Sequence, residues 1–160
     1  MAWLFPYLLF LHVLGAIVAF GPTFSFSIMG AMGGAEPQHG NFATRVSSAI
    51  SSKRVLPIGI TLPITGLAMI AVVGINPLER ERWWLALGIV LYLIAYGYGF
   101  FVQRPLVARV IELTSSPPPP GASGPPPELM ALVKRIGRGG IGMGLLIIAI
   151  VFLMVVKPKI

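Results

Sequence analysis

The chain has 160 residues, of which 56% are hydrophobic and only 11% are charged. Because a soluble domain is about one-quarter charged, this composition indicates a protein that resides in a membrane. The length allows one domain and leaves no room for a separate soluble catalytic module. The absence of cysteine excludes disulfides, iron–sulfur ligation and thiol catalysis. The net charge of +7 comes from side chains that flank apolar segments, so we expect them to face anionic lipid headgroups rather than nucleic acid.

The sequence predicts an all-α bundle of four transmembrane helices within a single integral membrane domain, residues 1–160. A helix needs roughly 17–25 apolar residues to cross a bilayer. The apolar runs are continuous rather than alternating, which favours helices over strands. No basic region precedes the first run, which is also too long for a signal-peptide core, so we expect it to be retained as a span. The predicted spans are 3–29, 55–74, 83–102 and 140–156.

The connections between the predicted spans differ in kind. Residues 30–54 begin with Gly and Pro, which predicts a turn followed by a short amphipathic helix, and the Asn-Pro pair within 75–82 predicts a tight turn. Residues 103–114 carry the third helix past the membrane, after an irregularity at Pro105. Residues 115–127 are a proline-rich linker. Beyond it we expect a helix to begin at Pro127 and Glu128.

The distribution of lysine and arginine predicts the orientation of the chain. The first and third loops carry eight of these residues and the opposite side carries four, so the positive-inside rule places both termini outside and the proline-rich linker in the cytoplasm. We therefore expect the inner (cytoplasmic) membrane of a bacterium. The eight are Arg45, Lys53, Arg54, Arg104, Arg109, Lys134, Arg135 and Arg138, and the four are Arg80, Arg82, Lys157 and Lys159.

Each predicted span has one face of small or polar residues, and such faces mark packed surfaces in lipid. In the first span His12, Ala16, Ala19 and Thr23 form one stripe. The second span carries a threonine face, the third carries glycines and tyrosines, and the fourth has Gly140-xxx-Gly144.

His12 is the one histidine within a predicted span, and the sequence leaves its role open. A neutral imidazole can bond to a threonine, a tyrosine or a backbone carbonyl in the bundle. The alternatives are an axial ligand of haem b, or a proton or metal role. The other histidine, His39, falls in a loop outside the membrane, so one chain offers a single intramembrane histidine ligand. The second axial position would be filled by a symmetric partner or by a tyrosine, or would remain open.

The remaining candidate binding residues are hydroxyl-bearing. Thr61 and Thr65 in the second span, with Tyr92 and Tyr96 in the third, would form a polar pocket for a quinone or a porphyrin edge, or would simply pack and hydrogen-bond. The sequence offers no nucleophile–base pair, no paired carboxylates and no metal-ligand cluster, so we assign no catalytic and no metal-binding residues.

The stretch LHVLGAIVAFGPTFSFSIMG, followed by LPITGLAMI and WLALGIVLYLIAYG, resembles a bacterial family of predicted four-helix integral membrane proteins of unknown function, domain of unknown function 2269. That family is distantly similar to copper-resistance D-type proteins and membrane protoporphyrinogen oxidases. The resemblance implies a histidine in an early span, here His12, in proteins some of which bind haem.

These observations lead to three hypotheses for function. The first is a small membrane protein without catalysis of its own, acting as a subunit or stabilising partner of a membrane assembly, either as a homo-oligomer or with other membrane subunits. The second is a haem-binding redox protein that uses His12. The third is a small transporter or channel with a polar core that includes Thr23.

Overall fold

The computed structural model describes residues 2–116 and 124–158. All the regular secondary structure in these residues is helical. Short 3₁₀ turns precede the first and fourth α-helices at Ala2–Leu4 and Arg80–Arg82. The α-helices are α1 (Phe5–Ala35), α2 (Pro37–Ile50), α3 (Leu56–Val73), α4 (Trp83–Tyr98), α5 (Arg104–Leu113) and α6 (Pro127–Val156).

Within the described residues, four continuous helices are long and apolar enough to cross a membrane, which confirms the predicted fold class. They are α1, the joined pair Pro37–Val73, the joined pair Arg80–Leu113, and α6, with 31, 37, 34 and 30 residues. At about 1.5 Å per residue, each is longer than the roughly 30 Å hydrocarbon core. Each therefore extends beyond the bilayer at one or both ends.

The two joined pairs contain π-helical segments, Ser51–Val55 between α2 and α3 and Gly99–Gln103 between α4 and α5. Pro57 and Pro105 follow these segments by two residues. Proline lacks an N–H, and its ring clashes with the carbonyl four residues earlier, which in both cases lies inside the π segment. The wider turn accommodates the ring without ending the helix, so the expected irregularity at Pro105 is confirmed.

The prediction that a turn begins at residue 30 is wrong for the connection after the first span. Helix α1 continues to Ala35, and a single residue, Glu36, separates it from α2. Gly33 and Gly40 allow the two helices to fold back on each other, since a Cβ on Gly40 would lie 3.1 Å from the Gly33 carbonyl oxygen. The predicted short amphipathic helix is confirmed as α2.

The other connections follow the sequence more closely. Gly74 ends α3 with φ 70°, and the Leu78 N–H donates to the Asn76 side-chain oxygen at 3.0 Å, which forms the expected turn. Helix α6 begins at Pro127, as predicted. Of the predicted proline-rich linker 115–127, residues 117–123 lie outside the described residues.

The most extensive helix contacts are those of α1 with α3, α1 with α2, and α4 with α6, while α1 also touches α6 and α2 packs on α5. The buried residues are few and mostly small or aliphatic, and many large apolar side chains point outward. Lipid solvates such side chains as well as a protein interior does. The core therefore consists of a narrow set of close helix contacts, and its members include Ala19, Leu62, Ala95, Ile147 and Ile150.

Candidate intramembrane polar site

His12 lies half-buried between α1 and α3, where its Nδ1 is 2.9 Å from the hydroxyl oxygen of Thr65. Thr65 is the buried polar residue of the described core, with 9% of its surface exposed. Gly66 on the next position of α3 leaves room for the imidazole, because a Cβ there would lie 3.4 Å from His12 Cε1. The pair joins the two helices that pack most closely.

The hydrogen bonds around Thr65 favour one histidine tautomer. The Thr65 hydroxyl lies 2.8 Å from the Thr61 carbonyl oxygen and 3.1 Å from that of Leu62, and these carbonyls accept its single proton. The hydroxyl oxygen is then the acceptor for His12, so Nδ1 carries the imidazole proton. This tautomer leaves His12 Nε2 with a free lone pair.

Tyr92 of α4 crosses to α3 and donates to the Gly59 carbonyl oxygen at 2.5 Å. That carbonyl is four residues before Pro63, and proline has no N–H to complete the helical hydrogen bond. A buried carbonyl without a donor is costly in lipid, where no water can replace the donor. The tyrosine hydroxyl therefore satisfies a carbonyl that the sequence of α3 itself leaves unpaired.

Tyr96 occupies the next turn of α4 and donates to the Leu56 carbonyl oxygen at 3.1 Å. Its ring stacks on that of Tyr92, with centroids 6.0 Å apart. Both rings lie against Gly59, where a Cβ would be 3.0 Å from Tyr96 Cε2. Gly59 is thus the position that lets α4 reach α3 through its tyrosines.

Two further threonines bond within their own helices. Thr61 donates to the Ile58 carbonyl oxygen at 2.7 Å, and a Cβ on Gly15 of α1 would lie 3.2 Å from its hydroxyl oxygen. Thr23 donates to the Phe20 carbonyl oxygen at 2.6 Å. Neither hydroxyl forms a bond to another helix within the described residues.

The predicted site residues thus form two groups, which contact α3 from different helices. One is the His12–Thr65 pair toward α1, and the other is the Tyr92–Tyr96 pair toward α4. Hydrogen bonds join the tyrosines to backbone carbonyls rather than to Thr61, so the predicted polar pocket for a quinone or porphyrin edge stays a prediction. The prediction that His39 falls in a loop is wrong, because it lies in the first turn of α2. It is exposed there, with Nε2 3.9 Å from a Glu36 carboxylate oxygen.

The tyrosines were predictable from the sequence, whereas the residues of α3 that provide the acceptor of Tyr92 were not predicted. These residues are Gly59, whose carbonyl accepts the hydrogen bond from Tyr92, and Pro63, which leaves that carbonyl without its helical donor. A glycine four residues before a proline is visible in the sequence and could have indicated this acceptor. Among the described residues, no group of three or more His, Cys, Asp or Glu could hold a metal ion.

A family model gives the chain its place among known proteins. Residues 6–158 match the family described as "Predicted integral membrane protein (DUF2269)". The chain belongs to this family. The resemblance of the sequence to this family is therefore confirmed, while the more distant likeness to copper-resistance and protoporphyrinogen oxidase proteins stays a prediction. No curated protein and no solved structure matched the chain.

Proposed function

We propose that this protein is a non-catalytic subunit or stabilising partner of a membrane assembly. One observation carries the proposal: all five predicted site residues use polar atoms for hydrogen bonds inside the bundle. His12 binds Thr65, and the other hydroxyls donate to carbonyls of α3. Such bonds orient helices and satisfy freed carbonyls, which accounts for these side chains without a substrate.

The surface of α1 supports association with a second copy or with other membrane subunits. Gly30 and Gly34 are exposed one turn apart, and a Cβ on either would meet no other atom within 4 Å. Small residues one turn apart let a second helix approach closely, and both glycines lie at the end of α1, just past the predicted span 3–29. These glycines are free for an external partner, in contrast to Gly33, which packs against α2.

Light scattering of the purified full chain in mild detergent tests this proposal. We expect a protein mass greater than that of one 17.1 kDa chain, and Gly30→Leu should reduce it. Gly21→Leu is the matched control, because Gly21 is exposed on the same helix with open space around it but lies on the opposite face. A wild-type protein that has the mass of a single chain, with no other subunit, would contradict the proposal.

The proposed location is the cytoplasmic membrane of a bacterium, with the first and third loops on the cytoplasmic side. The support is the distribution of eight lysines and arginines on that side against four on the other. The bilayer is then the first partner of the protein.

Haem b binding is the second candidate function, and the tautomer of His12 favours it. With Nδ1 donating to Thr65, Nε2 is left with the lone pair that ligates iron. Haem would supply one-electron redox chemistry. The residues fit half of such a site, because the only other histidine, His39, lies in exposed α2; a second axial ligand would come from a second copy of the chain or the position would stay open.

A further inference from the structure

A groove of about 470 Å³ lies between α4 and α6 on the outer surface of the bundle. Gly142 has no atom within 4 Å of the position of a Cβ, which keeps the groove open along α6. The apolar and aromatic side chains that line it are Ile94, Tyr98, Met143 and Leu146.

Two arginines close one end of this groove. Arg135 and Arg138 both line it and are exposed. Beyond them α6 carries no charged residue from Ile141 to Val156, so Arg138 is the last charge before the apolar part of the helix. The arginines therefore lie at the depth of the lipid headgroups, and the rest of the groove descends toward the acyl chains.

The charges around these arginines leave them available for an external anion. Within the described residues neither Arg135 nor Arg138 forms an ion pair. The two acidic residues of α5 and α6 pair with another arginine, because Arg109 donates to Glu112 at 2.9 Å and to Glu128 at 3.0 Å. Guanidinium groups bind phosphate oxygens through paired N–H donors.

Tyr98 adds a polar group at the same end of the groove. Its ring lies over Gly139, where a Cβ would be 3.1 Å from Tyr98 Cζ. Its hydroxyl has no hydrogen-bond acceptor in the described part of the chain. The side-chain oxygen of Gln103 also faces Gly139 and is buried without a partner, while the Gln103 amide N–H donates to the Ile136 carbonyl oxygen at 3.0 Å and fixes α6 against this helix.

We infer that this groove binds one anionic phospholipid. Its phosphate contacts Arg135 and Arg138, and an acyl chain runs between Ile94 and the side chains of Met143 and Leu146. Leu146 lies eight positions after Arg138, which corresponds to about 12 Å along the helix and suits a headgroup at the interface with a tail below it. The two unpaired guanidinium groups select a net negative headgroup over a zwitterionic one.

Native mass spectrometry of the full chain tests this inference, with phosphatidylglycerol and an acyl-matched phosphatidylcholine as the added lipids. We expect the wild-type protein to retain phosphatidylglycerol preferentially, and Arg135→Gln with Arg138→Gln to reduce that retention about thirtyfold. Lys53→Gln with Arg54→Gln is the matched control, because it removes two exposed positive charges outside the groove. The control should bind as the wild type does.

A second pair of variants tests the apolar part without changing charge. Gly142→Leu fills the groove, whereas Gly140→Leu places the same side chain on the opposite face of α6, and both positions have open space. We expect Gly142→Leu alone to lose bound lipid while both variants unfold at the wild-type temperature.

Three results would overturn the inference. The first is equal retention of the two lipids by the wild type. The second is equal loss in the two charge variants, which would mean general attraction to basic side chains. The third is full retention in Gly142→Leu, which would mean that the groove holds no acyl chain.

Discussion

The hydroxyl of Tyr92 donates to the carbonyl oxygen of Gly59, the carbonyl that Pro63 leaves without its helical donor. A proline inside a transmembrane helix is tolerated where a neighbouring helix replaces the lost bond. Here α4 provides the replacement for α3, although the backbones of these helices make few direct contacts. The tyrosines therefore account for much of the attachment between the two spans.

Replacing Tyr92 with phenylalanine should lower the free energy of unfolding by about 0.5–1.5 kcal/mol, because the Gly59 carbonyl loses its donor. In a Pro63→Ala background the same change should cost less, since the alanine restores an N–H to that carbonyl. Unfolding in detergent of the four proteins of this double-mutant cycle measures the difference. Tyr7→Phe, at an exposed position, is the control. Equal costs in both backgrounds would show that Tyr92 does not compensate for the proline.

Removing the Thr65 hydroxyl should weaken the contact between α1 and α3. We expect Thr65→Val to destabilise the protein by about 0.6 kcal/mol, and at most about 1.7 kcal/mol, the range of interhelical hydrogen bonds in membranes. Thr61→Val is the matched control, because the Thr61 hydroxyl bonds within α3. Thermal unfolding of both variants distinguishes them, and a Thr61 variant as unstable as the Thr65 variant would contradict a specific role for the His12 bond.

An added methyl group at Gly59 should separate α3 from α4. A Cβ there would lie 3.0 Å from Tyr96 Cε2 and 3.3 Å from the Tyr92 hydroxyl oxygen, so we expect Gly59→Ala to cost about 1–3 kcal/mol through overpacking. Gly97→Ala, which meets no atom within 4 Å, should be neutral or gain up to about 1 kcal/mol from helix propensity. The unfolding temperatures of the two variants measure this difference. Equal unfolding temperatures would contradict the close contact at Gly59.

The fold and its site differ in how far the sequence could predict them. The spans were evident because long apolar runs depend only on local composition. The packed faces of α1 and α4 were also predictable, since Ala19 and Gly88 are buried. Ala19 belongs to the stripe predicted on the first span, and Gly88 is one of the glycines of the third span. The hydrogen-bond partners were not, because which helix faces Tyr92 depends on how the four spans pack, and periodicity along one helix does not record that.

In the connection between α1 and α2, local sequence preferences predict a turn that the fold does not have. Gly33, Gly34 and Pro37 predict a break by their intrinsic preferences. In the fold, Gly33 instead serves the close approach of α1 to α2, and Pro37 occupies the first turn of α2. Tertiary packing uses the small size of glycine there rather than its freedom to turn.

The absence of cysteine makes the topology directly measurable. We predict that cysteines placed singly at Ser52 and Ser115 react with an impermeant thiol reagent from the same side of the membrane, and that one at Leu78, which is 83% exposed, reacts from the other. The eight-to-four distribution of basic residues further predicts that the first two positions are cytoplasmic. Labelling of intact cells and inverted vesicles checks both statements, and Leu78→Cys labelling from the same side as Ser52→Cys would contradict the four-span arrangement.

We propose that His12 and its hydroxyl-bearing neighbours stabilise the packing of the helices and do not bind a cofactor. The decisive test is the visible absorption spectrum of gently solubilised full-length protein, made with haem available, before and after dithionite and beside His12→Ala. We expect no Soret band in either protein and a lower unfolding temperature for the variant. A Soret band that shifts on reduction and disappears in His12→Ala would contradict this proposal and make His12 a haem ligand.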